Sequence, residues 1–284
     1  MIIGKVTDHR SREGGAIIYP VFSRRSGGLS IGVNLFPDRK ICSFNCPYCE
    51  VFPFETDIAF NTEIMKTALR SAIKEAKNTG VPIKDICFSG NGEPTMSPFF
   101  TEALTEAETI RAKTAPEAKL VLITNGSGLL NRDIFAFLKT ASGNTQGLDI
   151  WLKIDAATES WYRILNRSGI PQSSLISGIR SFAASQAPFT IQTMICKING
   201  TLPPAEESAA WVKLITELAA LSGPAAGGGE KINLRSVHIY GKARLASEDP
   251  LAEAAPLCVL EERADLLRLA FKKNNIGTQV EVYE

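Results

Sequence analysis

The 284-residue chain carries 31 Lys and Arg against 30 Asp and Glu, a formal net charge of +1, so no global field draws it to phosphate backbones or acidic membranes. A hydrophobic share of 44% with 21% charged residues excludes wholesale disorder, and the length suits one large α/β domain or two small ones. No stretch approaches the ~18 consecutive apolar residues of a membrane span, and Met1–Lys5 lacks the apolar run of a secretory signal. The expected location is the cytoplasm, where the six cysteines suggest metal binding or catalysis rather than disulfides.

In chain order, residues 1–29 form an N-terminal extension with one strand, Ile17–Phe22, and a basic turn that contains Arg24 and Arg25. Short, nearly continuous apolar runs follow at Ser30–Phe36, Asp85–Ser89, Lys119–Thr124, Asp149–Asp155, Thr190–Cys196 and Arg235–Tyr240, the pattern of buried parallel strands. Helical signals lie between them. Ser97-Pro98 suits an N-cap with proline at the first helical position, and Asn131 caps Arg132–Lys139. In Ala205–Leu221, residues Trp211, Leu214, Ile215 and Leu218 share one helical face, as do Leu260, Ala264, Leu267 and Phe271 near the end. Gly223–Gly229 is a loop rather than a domain linker, because a strand follows it directly. Strand–helix alternation implies an α/β fold with a parallel sheet, and about six repeats suit a partial (β/α)6 barrel better than a closed eight-unit one. The expected organisation is a single domain over 1–284: the extension, a core over about 30–244, and a C-terminal helix and strand over 245–284.

Half of the cysteines crowd one loop, Cys42-Ser-Phe-Asn-Cys46-Pro-Tyr-Cys49. Three thiolates at C-x3-C-x2-C spacing after a core strand can converge on one centre. A structural zinc needs a fourth ligand, from His9, His238 or a remote cysteine. An iron–sulfur cluster held by three thiolates keeps one iron open for chemistry. The loop Gly90-Asn91-Gly92-Glu93-Pro94 ends the next strand; its glycines permit close backbone approach, and its carbonyls and the Glu93 carboxylate can accept from an ammonium group.

On Cys42, Cys46, Cys49 and the preceding Tyr48, then Gly90–Pro94, Ile123-Thr124-Asn125-Gly126 and Leu152-Lys153-Ile154-Asp155, the chain resembles the radical SAM superfamily. The resemblance implies that the three cysteines hold a [4Fe–4S] cluster whose open iron binds S-adenosylmethionine (SAM). Reductive cleavage of SAM would give a 5′-deoxyadenosyl radical that takes hydrogen from the substrate, with flavodoxin or ferredoxin as electron donor. Tyr48, Gly90, Asn91, Gly92, Glu93, Pro94, Asn125 and Tyr240 are the implied cofactor contacts. Gly32-Val33-Asn34-Leu35, together with Ser89–Thr95, is most similar to the wyosine-base tRNA synthase group, but no cysteine precedes Cys42 to build that group's second cluster. The near-neutral charge argues against a nucleic-acid partner. The expected substrate is a small molecule, a nucleobase or nucleoside such as a modified deazapurine, with lyase or rearrangement chemistry. The alternatives are a tRNA-modifying enzyme, a glycyl-radical activase acting on a partner protein, and a non-catalytic metal-binding RNA module.

Lys153 and Asp155 alternate on one strand face and are the expected catalytic pair, with a mutual salt bridge as the structural alternative. Cys196 is a candidate hydrogen-atom donor at its strand end, whereas Cys87 and Cys258 are expected in the core. Candidate substrate contacts are Glu50, Lys197, Lys242 and Arg244, with Arg24 and Arg25 as either a solvated loop or a phosphate or carboxylate contact over the barrel mouth.

Overall fold

Strand–helix alternation is borne out along the chain. The computed structural model describes residues 16–143, 147–223 and 233–284; His9, residues 1–15 of the expected extension and Pro224–Gly229 lie outside them. The elements are β1 (Ile18–Ser23), β2 (Gly28–Asn34), α1 (Thr62–Asn78), β3 (Ile83–Ser89), α2 (Phe100–Thr114), β4 (Lys119–Thr124), α3 (Arg132–Gly143), β5 (Asp149–Lys153), α4 (Glu159–Leu165), α5 (Gln172–Ala184), β6 (Phe189–Ile198), α6 (Ala205–Ser222), β7 (Leu234–Gly241), β8 (Ala252–Ala254), α7 (Leu257–Lys273) and β9 (Gln279–Tyr283). No described helix is long and apolar enough to cross a membrane. Two compact units emerge, one made of the chain through Cys42, Val51–Thr124 and the approach to Asp149, the other of Ser43–Glu50, the stretch from Asn125 that contains α3, and Ile150–Glu284.

In the first unit β1 pairs antiparallel with β2, and β2, β3 and β4 run parallel. Six of the seven residues of β2 are buried, as in a strand covered on both faces. Helix α1, which the strand-centred sequence pattern passed over, has a readable start: the Asn61 side chain accepts from the Glu63 and Ile64 N–H groups at 2.9 and 3.0 Å. Its buried face is Met65, Leu69, Ala72, Ile73 and Ala76. Helix α2 begins later than Ser97-Pro98 suggested, because Glu93 and Pro94 first open a 3-10 turn over Pro94–Met96. Arg24 and Arg25 sit in the β1–β2 turn, next to the amino-terminal end of β2 where Leu29 pairs with Ile83. That is the opposite end from Asn34 and Ser89, so the expected contact over the barrel mouth is corrected: an antiparallel hairpin returns the chain at the wrong end of the strand.

In the second unit β5, β6, β7 and β9 run parallel, with β8 antiparallel on the end of β6. The chain leaving β5 is held from several sides. The Ile154 carbonyl accepts from Trp211 Nε1 at 3.1 Å and from Thr193 Oγ1 at 2.8 Å. Glu207 of α6, buried, takes the Ala157 and Thr158 N–H groups at 2.7 and 2.8 Å. The buried Trp211 stripe of α6 thus fixes the strand end that carries Asp155. Asn131 caps α3 as expected, accepting from Asp133 N–H at 2.9 Å.

Candidate functional site

The cysteine loop turns tightly, with the Cys49 N–H donating to the Cys46 carbonyl at 3.0 Å. Within the second unit, Ser43–Glu50 is tied down along its length. Asn125 Nδ2 donates to Ser43 Oγ at 3.0 Å, Ser43 Oγ donates to Ser127 Oγ at 2.9 Å, and Ser168 Oγ donates to the Ser43 carbonyl at 2.8 Å. The Asn45 N–H meets the Asn166 carbonyl at 2.9 Å, and the Cys49 carbonyl accepts from the Ser247 N–H at 2.9 Å. Arg244 pairs with Glu50 at 3.1 Å. None of the three loop cysteines is in a disulfide; Cys46 is buried, and Cys42 and Cys49 are half-buried.

Cys42 belongs to the first unit, where the residue before it is docked on the glycine-rich loop. Ile41 N–H donates to the Asn91 carbonyl at 3.1 Å, and Glu93 N–H to the Ile41 carbonyl at 2.8 Å. A Cβ at Gly92 would fall on that carbonyl. Gly90 has φ of 108°, a conformation glycine alone adopts readily. Asn34 Oδ1 accepts from the Asn91 and Phe36 N–H groups, both at 3.1 Å, and Asn91 Nδ2 donates to the Phe36 carbonyl at 3.2 Å. Glu93 is buried; its Oε1 accepts from Thr95 Oγ1 and Thr124 Oγ1, each at 2.7 Å. These glycines therefore place the segment bearing Cys42, a job the sequence pattern alone did not reveal.

A polar network fills the second unit's strand ends. The Tyr48 hydroxyl donates to Asp155 Oδ2, Asn166 Nδ2 donates to the same oxygen at 3.4 Å, and the Met194 N–H donates to Oδ1 at 2.8 Å. Lys153 Nζ stands 3.3 Å from Asp155 and 2.5 Å from the Tyr240 hydroxyl, and lies over the Tyr48 and Tyr240 rings at 5.2 and 5.1 Å. The expected pair is thus an ion pair, with side chains 16% and 1% exposed. Burial opposes the lysine charge, but Asp155 and Tyr240 outweigh it, and its pKa is raised. Burial pushes the Cys46 thiol up to about 12, reinforced by the Asp155 charge.

The other candidates divide. Cys196 is buried on β6, opposite Ala254 of β8, and burial lifts its thiol to about 12, with Asp155 and Cys46 adding to the effect. Lys197 pairs in register with Glu253. Lys242 is 2.7 Å from Asp249, so it and Arg244 hold carboxylates of their own unit. Cys87 is buried, as expected, but Cys258 is exposed: Leu260, Ala264, Leu267 and Phe271 set the inner face of α7, and Cys258 falls outside that stripe. His238, considered as a zinc ligand, sits between the Trp151 and Tyr283 rings with Nε2 3.0 Å from Glu281. Sequence reasoning gave no site role to Asn34, which it noted only within a motif, and missed Ser43, Asn166 and Ser168. The polar turn Asn166-Arg167-Ser168-Gly169 after α4 was the available signal, and Arg167 has φ of 46° there.

Comparison with known proteins bears on this arrangement. The chain resembles Streptococcus suis SuiB bound to precursor peptide SuiA, with a TM-score of 0.63 and 14% identity, covering 92% of this chain and 51% of that one. It also resembles TYW1 with a lysine-pyruvate adduct bound, with a TM-score of 0.52 and 13% identity over 84% and 73% of the two chains. A third likeness is anSMEcpe with bound AdoMet and Cp18Cys peptide, with a TM-score of 0.53 and 14% identity over 88% and 62%. At these identities the likeness is one of fold. Its class is the expected one, an α/β partial (β/α)6 barrel. No family model matches the sequence. Among curated proteins, a UPF0026 protein of Helicobacter pylori is 33% identical over 119 residues, 41% of this chain and 37% of that protein. A UPF0026 protein of Synechocystis is 29% identical over 187 residues, 63% of this chain and 64% of that protein. The matched stretch thus spans about a third of the first relative and under two thirds of the second.

Among the described residues, no group of three or more His, Cys, Asp or Glu side chains is gathered as a site for a single metal ion. The buried Cys46 sulfur instead accepts from Asn166 Nδ2 at 3.5 Å, the kind of outer hydrogen bond that a thiolate ligand of an iron–sulfur cluster takes. The donor set on this loop fits a cluster held by thiolates.

Proposed function

We propose that this protein is a radical SAM enzyme in which Cys42, Cys46 and Cys49 hold a [4Fe–4S] cluster and SAM occupies its open iron. The carrying observation is the cysteine loop, clamped from Ser43 to Glu50 and joined by Asn166 to the buried Lys153–Asp155–Tyr48–Tyr240 network. When bound, the cluster and SAM supply a 5′-deoxyadenosyl radical that takes a hydrogen atom from the substrate. The chain's own part is to hold and to exclude. Asp155 fixes the Tyr48 ring beside Cys46, and the Trp211 stripe keeps that strand end from moving. Lys153, charged and paired, presents a cationic donor to an oxygen of a bound molecule, while the burial of Tyr48 and Asp155 keeps water and stray hydrogen donors away. Reduction would come from a flavodoxin- or ferredoxin-like partner.

The substrate we favour is a small oxygen-bearing organic molecule of nucleobase or nucleoside type. The formal charge of +1 supports a small molecule over a tRNA. A lysine–pyruvate adduct, as bound in the TYW1 structure, requires a neutral amine; the neighbours of Lys153 keep it protonated, which speaks against adduct chemistry at this residue. The test is 5′-deoxyadenosine formation by the reconstituted protein with nucleosides, unmodified tRNA or cysteine-bearing peptides added separately. Stimulation by nucleosides supports the reading; stimulation by tRNA or peptide alone overturns the substrate class.

A further inference from the structure

The Asn166 carboxamide stands where the cysteine loop meets the polar network. Its residue is 2% exposed, and Nδ2 lies 3.5 Å from Cys46 Sγ and 3.4 Å from Asp155 Oδ2. An amide nitrogen carries two hydrogens, so one can serve each acceptor. The backbone has a separate duty: the Asn166 carbonyl takes the Asn45 N–H at 2.9 Å, and two residues on, Ser168 Oγ holds the Ser43 carbonyl at 2.8 Å. The main chain of this turn places the loop, and its Asn166 carbonyl also accepts from the Cys46 thiol at 3.9 Å; the side chain alone aims an N–H donor at the sulfur.

We propose that Asn166 is a positioning residue that sets the reduction potential of the cluster bound through Cys46. The inference rests on the reading of Cys42, Cys46 and Cys49 as cluster ligands. An N–H aimed at a ligand sulfur stabilises it more when it carries more negative charge, so the donor favours the reduced cluster. Hydrogen bonds to sulfur are among the levers that set such potentials. Because the same amide also serves Asp155, it joins the ligand sulfur to the carboxylate that holds Lys153.

The experiment uses the full chain, reconstituted anaerobically with iron and sulfide, as wild type, Asn166→Leu, Asn166→Asp and Ser168→Ala. Iron and sulfide per chain are measured first, then the potential by a redox titration followed by electron paramagnetic resonance. Asn166→Leu removes the donor and should shift the oxidised-to-reduced ratio about tenfold toward oxidised at fixed potential, about 59 mV for a one-electron couple. Asn166→Asp keeps the volume, replaces the donor with an anion and should shift it further. Ser168→Ala loosens the loop but keeps the Asn166 amide, and should shift the potential by less than half as much as Asn166→Leu. Asn166 variants that carry a cluster and titrate with wild type overturn the inference and leave the cluster reading standing. A Ser168→Ala shift of half or more that of Asn166→Leu overturns it as well, by assigning the effect to loop position. A folded wild-type chain that takes up no iron overturns the parent reading, and the inference with it.

Discussion

Replacing Asp155 by Asn removes one charge from the buried network and leaves the side chain's size unchanged. In the native chain Oδ1 accepts from the Met194 N–H at 2.8 Å, and Oδ2 accepts from the Tyr48 hydroxyl and the Asn166 amide, with Lys153 Nζ at 3.3 Å. An amide at this position turns one acceptor into a donor facing donors and leaves the Lys153 charge without its counterion. Removing one partner of a buried ion pair costs about 3–5 kcal/mol. Lys153 keeps 16% exposure, and the water it sees lowers the cost to about 3 kcal/mol. In a chain of this size each kcal/mol moves Tm by about 2–4 °C, so the melt should fall by about 6–12 °C. Thermal melts of the metal-free wild type, Asp155→Asn, Lys153→Met and the double variant give the cycle. The double variant should recover at least half of the Asp155→Asn loss, because removing both charges leaves neither stranded. The pH dependence has a definite sign. The raised lysine pKa makes this contribution complete below the ordinary value of 10.5 and lost as pH rises through the folded value. An Asp155→Asn melt within about 1 °C of wild type, or singles whose losses simply add in the double, would refute the assignment of Asp155 as counterion.

Gly92→Ala drives a methyl group into the Ile41 carbonyl and breaks the two backbone bonds that dock Ile41 on the loop. The cost should be about 2 kcal/mol by urea unfolding, with reduced iron uptake; unchanged stability and iron content would show that the docking is dispensable. Burial, reinforced by a nearby carboxylate, holds the Cys87 and Cys196 thiols up to about 12 against an ordinary 9.0. Stability should therefore be full below pH 9 and fall as pH rises from 9 toward 12, since the unfolded thiols ionise first. Urea titrations between these limits should give a shallower decline for Cys87→Ala than for wild type; equal slopes would contradict the burial argument.

The strands were legible because a buried parallel strand is written in its own residues: Lys119–Thr124 is β4 as read, and the other runs match theirs within a few residues. The cysteine spacing was legible for the same reason, being local. What the chain does not display is which distant polar groups meet. Asn166 lies 120 residues from Cys46, and its role depends on where α4 ends, not on any neighbouring residue type. The glycines of the loop at residues 90–94 were visible, but their first use was not, since Gly92 makes room for a carbonyl from a segment far away in sequence. The contact over the barrel mouth considered for Arg24 and Arg25 has a similar origin. Proximity in sequence to the cysteines suggested proximity in space, and the length of β2 carries that turn to the other end of the strand.

On the proposed reading, the three-cysteine loop holds a cluster competent to cleave SAM. Wild type and Cys46→Ala, reconstituted anaerobically with iron and sulfide and then given SAM and a low-potential reductant, test it through 5′-deoxyadenosine measured by liquid chromatography. Wild type should bind iron and sulfide and form 5′-deoxyadenosine, and Cys46→Ala should lose both together. A folded wild-type protein that carries the cluster yet forms no 5′-deoxyadenosine, or a Cys46→Ala protein that forms as much as wild type, would contradict it.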